Sequence, residues 1–142
     1  MYFALLADEI TDIFEKEHLS IGVRYFSLQN VIHEEFLGFF ELNDRTAAGI
    51  ANTLLKACHE FGLDMSKLIG QGYDGCSTMA GMLNGVQAKI RNVYPKALYV
   101  HCSAHRLNLV VNDLNSVQAI RNTTGTIKSI IAYFRESSKK RL

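Results

Sequence analysis

The stretch "LIGQGYDGCSTMAG", residues 68–81, decides the fold of this chain. Residues 67–73 predict a strand that delivers Asp74. The apolar residues that follow predict one helix closed by Pro95. Its apolar side would comprise Met79, Met82, Leu83, Val86, Ile90 and Val93. A strand followed at once by a helix is typical of a βαβ unit, so the stretch predicts a parallel part of a sheet.

The same stretch places Gly70, Gly72 and Gly75 in the spacing G-x-G-x-x-G, which is typical of a dinucleotide-binding loop. That fingerprint also needs an acidic residue about 20 residues further on, and this half of it is missing. Asp74, inside the turn, would repel a pyrophosphate. We therefore expect no nucleotide cofactor, and we interpret the glycines as positions that permit tight turns and close helix–sheet packing.

Composition indicates one globular domain. A chain of 142 residues with 48% hydrophobic and 20% charged residues can bury a single sizeable core. The formal net charge of +1 gives no overall basic field for nucleic acid. The basic cluster Lys139, Lys140 and Arg141 is typical of a solvated tail.

Cysteine usage and the opening residues predict an intracellular protein, nuclear or cytoplasmic. The three cysteines are odd in number and widely separated, which does not indicate a disulfide framework. The opening "MYFALLADEI" has only a short apolar run and no basic leader, so we expect neither a signal peptide nor a membrane span.

The first third of the chain predicts three strands. The run "YFALLA", residues 2–7, predicts a strand that is buried on both faces and stops at the acidic "DEITD", which places Asp8 at a strand end. Residues 19–27 and the run "VIHEEFLGFF" predict an antiparallel hairpin. In its first strand, one face would carry Leu19, Ile21, Val23 and Tyr25.

The rest of the chain predicts helices alternating with strands. Asp44 is predicted to cap an amphipathic helix that Gly62 ends. The run "KALYVHC" predicts a further strand before a helix that carries Leu107, Val110, Val111 and Leu114, and residues 116–136 predict a last helix. We therefore predict an α/β fold with a mixed sheet, in which an antiparallel hairpin joins parallel strands and helices flank the sheet.

Asp8 and Asp74 each follow a predicted strand. If those strands are neighbours, the two carboxylates converge at one edge of the sheet, where Mg²⁺ or Mn²⁺ could lie between them. The alternative is that Asp8 caps the turn in "DEITD" and that Asp74 caps the helix after "DGCS". The residue pattern alone favours capping for either aspartate taken singly.

Cys102 and His105 lie one helical turn apart in "VHCSAHRLNLVV". Both residue types bind zinc, but a structural zinc site needs about four ligands, and the other cysteines and histidines are isolated in the sequence. By pattern alone, a buried cysteine at a helix start with a locally hydrogen-bonded histidine is favoured over a zinc site.

Four segments together resemble the catalytic core of hAT-superfamily DNA transposases. These segments are "LLADEITDIFEKEHLSIGVRYF", "FLGFFEL", "LIGQGYDGCSTMAGMLNGVQAKI" and "YVHCSAHRLNLVV", in this order. The similarity is closest to domesticated vertebrate relatives, among them zinc finger MYM-type proteins and the repressor of the inhibitor of the protein kinase. It covers nearly the whole chain to about residue 115.

The resemblance implies a ribonuclease-H-like fold, in which three carboxylates bind two divalent metals and drive DNA cleavage and strand transfer. The first two family aspartates match Asp8 and Asp74, which would then be catalytic metal ligands for Mg²⁺ or Mn²⁺. The family C-x-x-H motif, close to the active centre, matches Cys102 and His105. The glycines would then shape a turn around a metal-binding aspartate.

The resemblance also implies a truncated core. The third family acid is a glutamate on a late helix, and nothing matches Glu136 to it. We expect a single partial domain, with a core over about residues 1–115 and a helical segment over about 116–142, incomplete at its C-terminus. Such a chain should bind metal weakly, and its uncovered sheet should favour self-association or contact with another protein.

Two hypotheses about function follow from the resemblance. In the first, the chain is catalytically silent and serves as a domesticated or remnant module that associates with DNA or protein. In the second, it is the front part of an active metal-dependent transposase or nuclease core that needs a downstream glutamate. We favour the silent module for this chain.

Overall fold

A computed structural model of the protein describes residues 1–13 and 15–136. The chain divides into two compact units, Met1–Cys102 and Ser103–Leu142. All of the strands described below belong to the first unit. The expectation of a single partial domain with a core reaching about residue 115 stays a prediction.

The first unit contains a five-stranded mixed sheet in the order β3-β2-β1-β4-β5. The strands are β1 (Phe3–Thr11), β2 (Glu17–Phe26), β3 (Ile32–Glu41), β4 (Leu68–Tyr73) and β5 (Leu98–His101). Strands β1, β2 and β3 pair antiparallel, whereas β4 pairs parallel to both β1 and β5. This architecture confirms the predicted combination of a hairpin with parallel strands.

Helices connect and flank these strands. In the first unit they are α1 (Ala47–Glu60), α2 (Ser77–Ala80) and α3 (Val86–Val93), with a 3₁₀ turn at Met65–Lys67. In the second unit they are α4 (Ser103–Asp113) and α5 (Gln118–Glu136), with a 3₁₀ turn at Leu114–Ser116. The structure therefore confirms the predicted helices after β3 and β5 and the predicted last helix.

The core of the first unit lies where α1 and α3 pack on one face of the sheet. Side chains alternate along β1, so that Phe3, Leu5 and Ala7 are buried. The predicted inner face of β2 is confirmed, because Leu19, Ile21 and Val23 are buried and Tyr25 packs against them. The helices contribute Ile50, Ala51, Leu54, Ala57 and Cys58 from α1, and Val86 and Ile90 from α3.

The predicted single helix after Asp74 is wrong, because the chain breaks between α2 and α3. Gly85 donates its N–H to the carbonyl of Gly81 at 3.0 Å, and a Cβ on Gly85 would lie 2.4 Å from the Gly81 nitrogen. This close approach of the two glycines turns the backbone out of the helix. As a result, Met82 and Leu83 are 87% and 86% exposed instead of lying on an inner face.

The start of α1 also differs from the prediction. Thr46 is the N-cap, and its hydroxyl accepts a hydrogen bond from the Gly49 N–H at 3.2 Å. Asp44 instead accepts a hydrogen bond from the Thr46 N–H at 2.9 Å. The acidic side chain thus holds the loop that leads into the helix, and the threonine two residues later satisfies the helix end.

The second unit consists of helices with exposed apolar side chains. In α4 these include Leu107, Val110 and Val111, and in α5 they include Ile127, Ile130 and Phe134. Among the described helices of either unit, none is long and apolar enough to cross a bilayer.

Candidate functional site

The ends of β1 and β4 build the candidate site. Pairing between β1 and β4 stops at Leu6 and Gly72, whereas pairing between β1 and β2 continues past Asp8 to Thr11. The prediction that Asp8 ends its strand is therefore wrong, because β2 continues to pair with the backbone there. Asp8 and Asp74 nevertheless each follow the last parallel pair by two residues, which puts both at the same level of the sheet.

Three carboxylates line one cavity of about 250 Å³ at this level, which we call the acidic cavity. They belong to Asp8, Glu9 and Asp74, and the remaining wall is formed by Ala7, Cys76 and Met79. Asp8 is exposed, whereas Glu9 and Asp74 are half-buried. The structure thus brings the two predicted aspartates to one cavity and adds a third acid.

Glu9 is the member of the acidic cavity that sequence reasoning missed. Burial raises the pKa of its carboxyl, and the negative charge of Asp74 raises it further. Glu17 and Asp8 act in the same direction, whereas the cation of Arg45 lowers the pKa. The sequence feature that could have identified Glu9 is its position directly after Asp8. Burial is the main cause of the raised pKa, and the neighbouring carboxylates add to it.

The backbone around Asp74 is held by hydrogen bonds. Its carboxylate accepts a bond from the Cys76 N–H at 3.2 Å, and its carbonyl accepts one from the Tyr99 hydroxyl at 2.8 Å. Asp74 therefore does cap the turn after β4, as the alternative interpretation held. Because a carboxylate has about four lone-pair sites, this bond leaves the group able to bind a cation as well.

The capping alternative for Asp8 is not seen. The turn after β1 is capped by Asp12, whose carboxylate accepts a bond from the Lys16 N–H at 2.9 Å. Within residues 1–13 and 15–136, no hydrogen bond or ion pair engages the Asp8 carboxylate. An exposed carboxylate without such a contact can bind a cation without giving up another partner.

The glycines of the opening stretch allow close contacts. A Cβ on Gly75 would lie 2.4 Å from Cε1 of His101, so glycine lets the imidazole ring lie against the backbone that follows Asp74. A Cβ on Gly70 or Gly72 would lie 3.0 Å or 2.9 Å from side-chain atoms of β1. The predicted close packing is therefore found, but against a histidine and a neighbouring strand instead of a helix.

Two buried glutamines hold the elements behind the site, and sequence reasoning missed both. Gln71 in β4 donates to the carbonyls of Gln87 and Ala97 at 3.0 and 2.9 Å. Gln87 donates to the carbonyl of Gly81 at 3.2 Å. These bonds tie the strand that delivers Asp74 to α3 and to the glycine break.

Comparison with known proteins gives the family. A family model described as "ZMYM1/FAM200, RNase-like domain" matches residues 1–85, which is more than half of the chain. This chain belongs to the ZMYM1/FAM200 RNase-like domain family. The match confirms the predicted resemblance to domesticated relatives of hAT transposases.

Two curated proteins are similar to this RNase-like domain over most of its length. The 52 kDa repressor of the inhibitor of the protein kinase from Homo sapiens is 28% identical over 138 residues, and the protein of that name from Mus musculus is also 28% identical. The alignments cover 96% of this chain and 18% of each relative. The chain thus spans less than a fifth of the length of these relatives.

The C-x-x-H motif of the RNase-like domain divides between the two units. Cys102 ends the first unit and donates its N–H to the Tyr73 carbonyl at 2.7 Å, whereas His105 lies in α4 of the second unit. Burial raises the pKa of the Tyr99 hydroxyl, and Asp74, Cys76 and Cys102 raise it further. Cys102 therefore lies within electrostatic reach of the hydroxyl that holds the Asp74 backbone.

The carboxylate oxygens of the acidic cavity are of the type that binds a hard cation, but few ligands are available. Carboxylate oxygens are the ligands that Mg²⁺ and Mn²⁺ prefer, and the acidic cavity contributes three acids to its wall. However, in the described part of the chain, no group of three or more histidine, cysteine, aspartate or glutamate side chains is arranged to hold a metal ion. That Asp8 and Asp74 hold a metal ion stays a prediction from the resemblance.

Proposed function

We propose that this RNase-like domain is a catalytically silent, transposase-derived module that binds one divalent cation weakly and associates with nucleic acid or protein. One observation carries the proposal. Asp8, Glu9 and Asp74 line a common cavity, yet the described residues contain no group of three ligands that converges. Such an arrangement supports weak cation binding and does not support a complete two-metal centre.

The cation would relieve the repulsion in the acidic cavity. Burial and then the charge of Asp74 raise the pKa of Glu9, and a divalent ion held by Asp8 and Asp74 would offset the second of these effects. When bound, such an ion supplies polarisation of a phosphate oxygen and activation of a water or hydroxyl nucleophile. The residues of this chain orient the carboxylates through β1, β4 and the Asp74 turn.

The proposed lack of catalytic activity follows from the number of protein ligands for metal ions. Two-metal strand cleavage places the ions about 3.5–4 Å apart and needs carboxylates that fix both of them. The described carboxylates of Asp8, Glu9 and Asp74 do not converge as one set of ligands, so one position remains without adequate protein ligands and a second ion would be held poorly. We therefore propose cation binding without turnover for this chain by itself.

The second candidate is an active nuclease or transposase core. It is favoured by the position of Asp8 and Asp74 at one level beyond the last parallel pair of β1 and β4. In that case a further glutamate would come from a longer polypeptide or from another chain. The side chain of Glu136 lies outside the described residues, so its position adds nothing to either candidate.

Association is supported by exposed apolar side chains. Leu98 and Val100 of β5 are more than half exposed, and so are Leu107 and Val110 of α4. Exposed apolar surface on either unit is a candidate for contact with a second copy or another protein. DNA is the other proposed partner, and the compartment in which either is met, nuclear or cytoplasmic, stays a prediction.

Mn²⁺ titration of the wild type, Asp8→Asn, Asp74→Asn and the control Asp113→Asn tests the proposal. We expect weak binding by the wild type and the control, and loss of binding in both site variants. A parallel assay with labelled DNA should show no cleavage by any of them, and light scattering should show self-association of all four.

Other outcomes of this experiment separate the two candidates. Mn²⁺-dependent DNA cleavage by the wild type that disappears in Asp74→Asn would overturn the silent module and support the nuclease core. Identical Mn²⁺ titrations of the wild type and Asp74→Asn would remove the physical basis of a metal site. A chain that stays monomeric at high concentration would contradict association between copies.

A further inference from the structure

A second cavity, of about 540 Å³, shares α2 with the acidic cavity, and we call it the polar cavity. Ser77 and Thr78 line the polar cavity, whereas Cys76 and Met79 line the acidic one. Short helix α2 therefore forms part of the wall of both. A ligand that occupies the polar cavity would lie next to the proposed cation site.

The polar cavity offers hydrogen-bond donors and a positive charge. The guanidinium belongs to Arg45, and the neutral donors are the side chains of Thr46, Ser77, Thr78 and Asn84. None of the described residues that line it is acidic. Planar guanidinium groups bind phosphate oxygens in pairs, and hydroxyl and amide groups can complete such a contact.

The charge of Arg45 is available for a ligand. Among the described residues, its ion-pair partner is Glu17 at 3.5 Å, and the Arg45 side chain is 64% exposed whereas that of Glu17 is 19% exposed. Glu17 also accepts a hydrogen bond from the Thr11 hydroxyl at 3.1 Å, so it keeps a partner if the guanidinium turns to a phosphate. Arg45 also acts on the Glu9 carboxyl, which shows that the guanidinium lies within electrostatic reach of the acidic cavity.

We propose that the polar cavity binds a phosphate group of a nucleic-acid strand, with Arg45 as its principal contact. This inference rests on the proposed association with nucleic acid and locates one point of contact. A strand bound here would pass close to three carboxylates and would be repelled by them. Mn²⁺ in the acidic cavity should therefore strengthen binding of the strand.

A nucleic-acid strand is favoured over a free phosphate ion as the ligand of the polar cavity. Among the described residues that line the polar cavity, Arg45 is the one cation, and a single exposed cation binds an isolated anion weakly in water. A strand gains from several phosphate contacts at once, so that one arginine can contribute measurably to a longer interface.

Binding of a fluorescent single-stranded oligodeoxynucleotide tests the site. Affinity is measured by anisotropy at several salt concentrations, with Mn²⁺ and with a chelator, for the wild type, Arg45→Gln, Arg45→Lys and Lys56→Gln. Lys56→Gln is the matched control, because it removes one charge from α1 at a side chain that is 79% exposed. Circular dichroism checks that each variant keeps its helices.

We expect Arg45→Gln to weaken binding about tenfold and to reduce the slope of log affinity against log salt by about 1. Arg45→Lys should recover part of the loss, and Lys56→Gln should change neither quantity. Mn²⁺ should tighten binding by the wild type. Inorganic pyrophosphate at a concentration equal to that of the oligonucleotide should not displace it.

The experiment distinguishes failure of the proposed phosphate site from failure of the proposed metal site. Equal effects of Arg45→Gln and Lys56→Gln, with Mn²⁺ titration intact, would overturn the phosphate site alone. Arg45-dependent binding that Mn²⁺ does not change, together with an absence of Mn²⁺ binding, would overturn the metal proposal alone. Displacement by equimolar pyrophosphate would overturn the assignment to a strand.

Discussion

The two halves of β1 share one strand but have different surroundings. From Phe3 to Leu6 the strand lies between β2 and β4, and its inward side chains are buried in the core. From Asp8 to Thr11 it pairs with β2 alone, and its acidic side chains line a cavity. The change coincides with the end of the parallel partner.

This difference shows that the residues of β1 that stabilise the fold and those that line the site lie in different halves of the strand. In the first half, removal of apolar area from water is the main stabilising effect. In the second half, like charges lie close together, and their repulsion opposes folding. We call the two regions the apolar half and the acidic half of β1, and substitutions in each should have effects of different size and sign.

The largest effect is expected from Leu5→Ala in the apolar half. Leu5 is fully buried, so truncation should lower the free energy of unfolding by about 2–5 kcal/mol through lost burial and a cavity. Ile10→Ala in the acidic half is the matched control, since Ile10 is 36% exposed, and it should cost less than about 1 kcal/mol. Urea denaturation measures both, and equal losses would contradict the division of the strand.

A smaller effect is expected in the turn after β4, which brings Asp74 to the acidic cavity. A Cβ at residue 75 would overlap the His101 ring, so Gly75→Ala should cost about 1–3 kcal/mol through overpacking. Gly125→Ala in α5 is the control, because no described atom outside the neighbouring helix backbone lies within 4 Å of a Cβ at that position, and alanine should stabilise the helix by about 0.5–1 kcal/mol. If the free energy of unfolding changed in the same direction in both variants, this explanation would be contradicted.

Sequence patterns predicted those parts of the fold that depend on local periodicity. The alternation of Leu19, Ile21 and Val23 gave a correct inner face for β2, because a strand exposes its two faces in turn. The helical spacing after Met79 was misleading. Apolar residues at positions 82 and 83 fit a helix, but contact between Gly81 and Gly85 depends on backbone packing that a pattern of apolar residues does not encode.

The candidate site was predictable in part for a similar reason. Asp8 and Asp74 could be placed at one edge because each follows an apolar run that predicts a strand, although β1 continues to Thr11 and does not end together with β4. Glu9 could not, since its raised pKa depends on burial and on the distance to Asp74, and both follow from where β4 stops. The role of Gln71 could not be predicted from the sequence either, because its hydrogen-bond partners lie in α3 and in the loop before β5.

The smallest effect is expected from Glu9→Gln in the acidic half, and its sign should be opposite to that of Leu5→Ala. The folded protein holds the Glu9 proton more tightly than the unfolded chain, because the pKa is raised above 4.5 by burial and by Asp74. Stability is therefore lost as pH rises from about 4.5 through the raised pKa, and the cost remains at pH 7.

Glutamine removes this cost, so Glu9→Gln should be more stable than the wild type at pH 7, by less than about 1 kcal/mol because solvent screens a half-buried group. The difference should shrink towards zero as the pH falls below 4.5, because Glu9 then becomes protonated in both folded and unfolded chains. Glu60→Gln, at an exposed pair with Lys56, should show no such pH dependence. If denaturation at pH 7 instead showed Glu9→Gln to be less stable, attraction to Arg45 would outweigh burial and repulsion, and the acidic half would stabilise the fold.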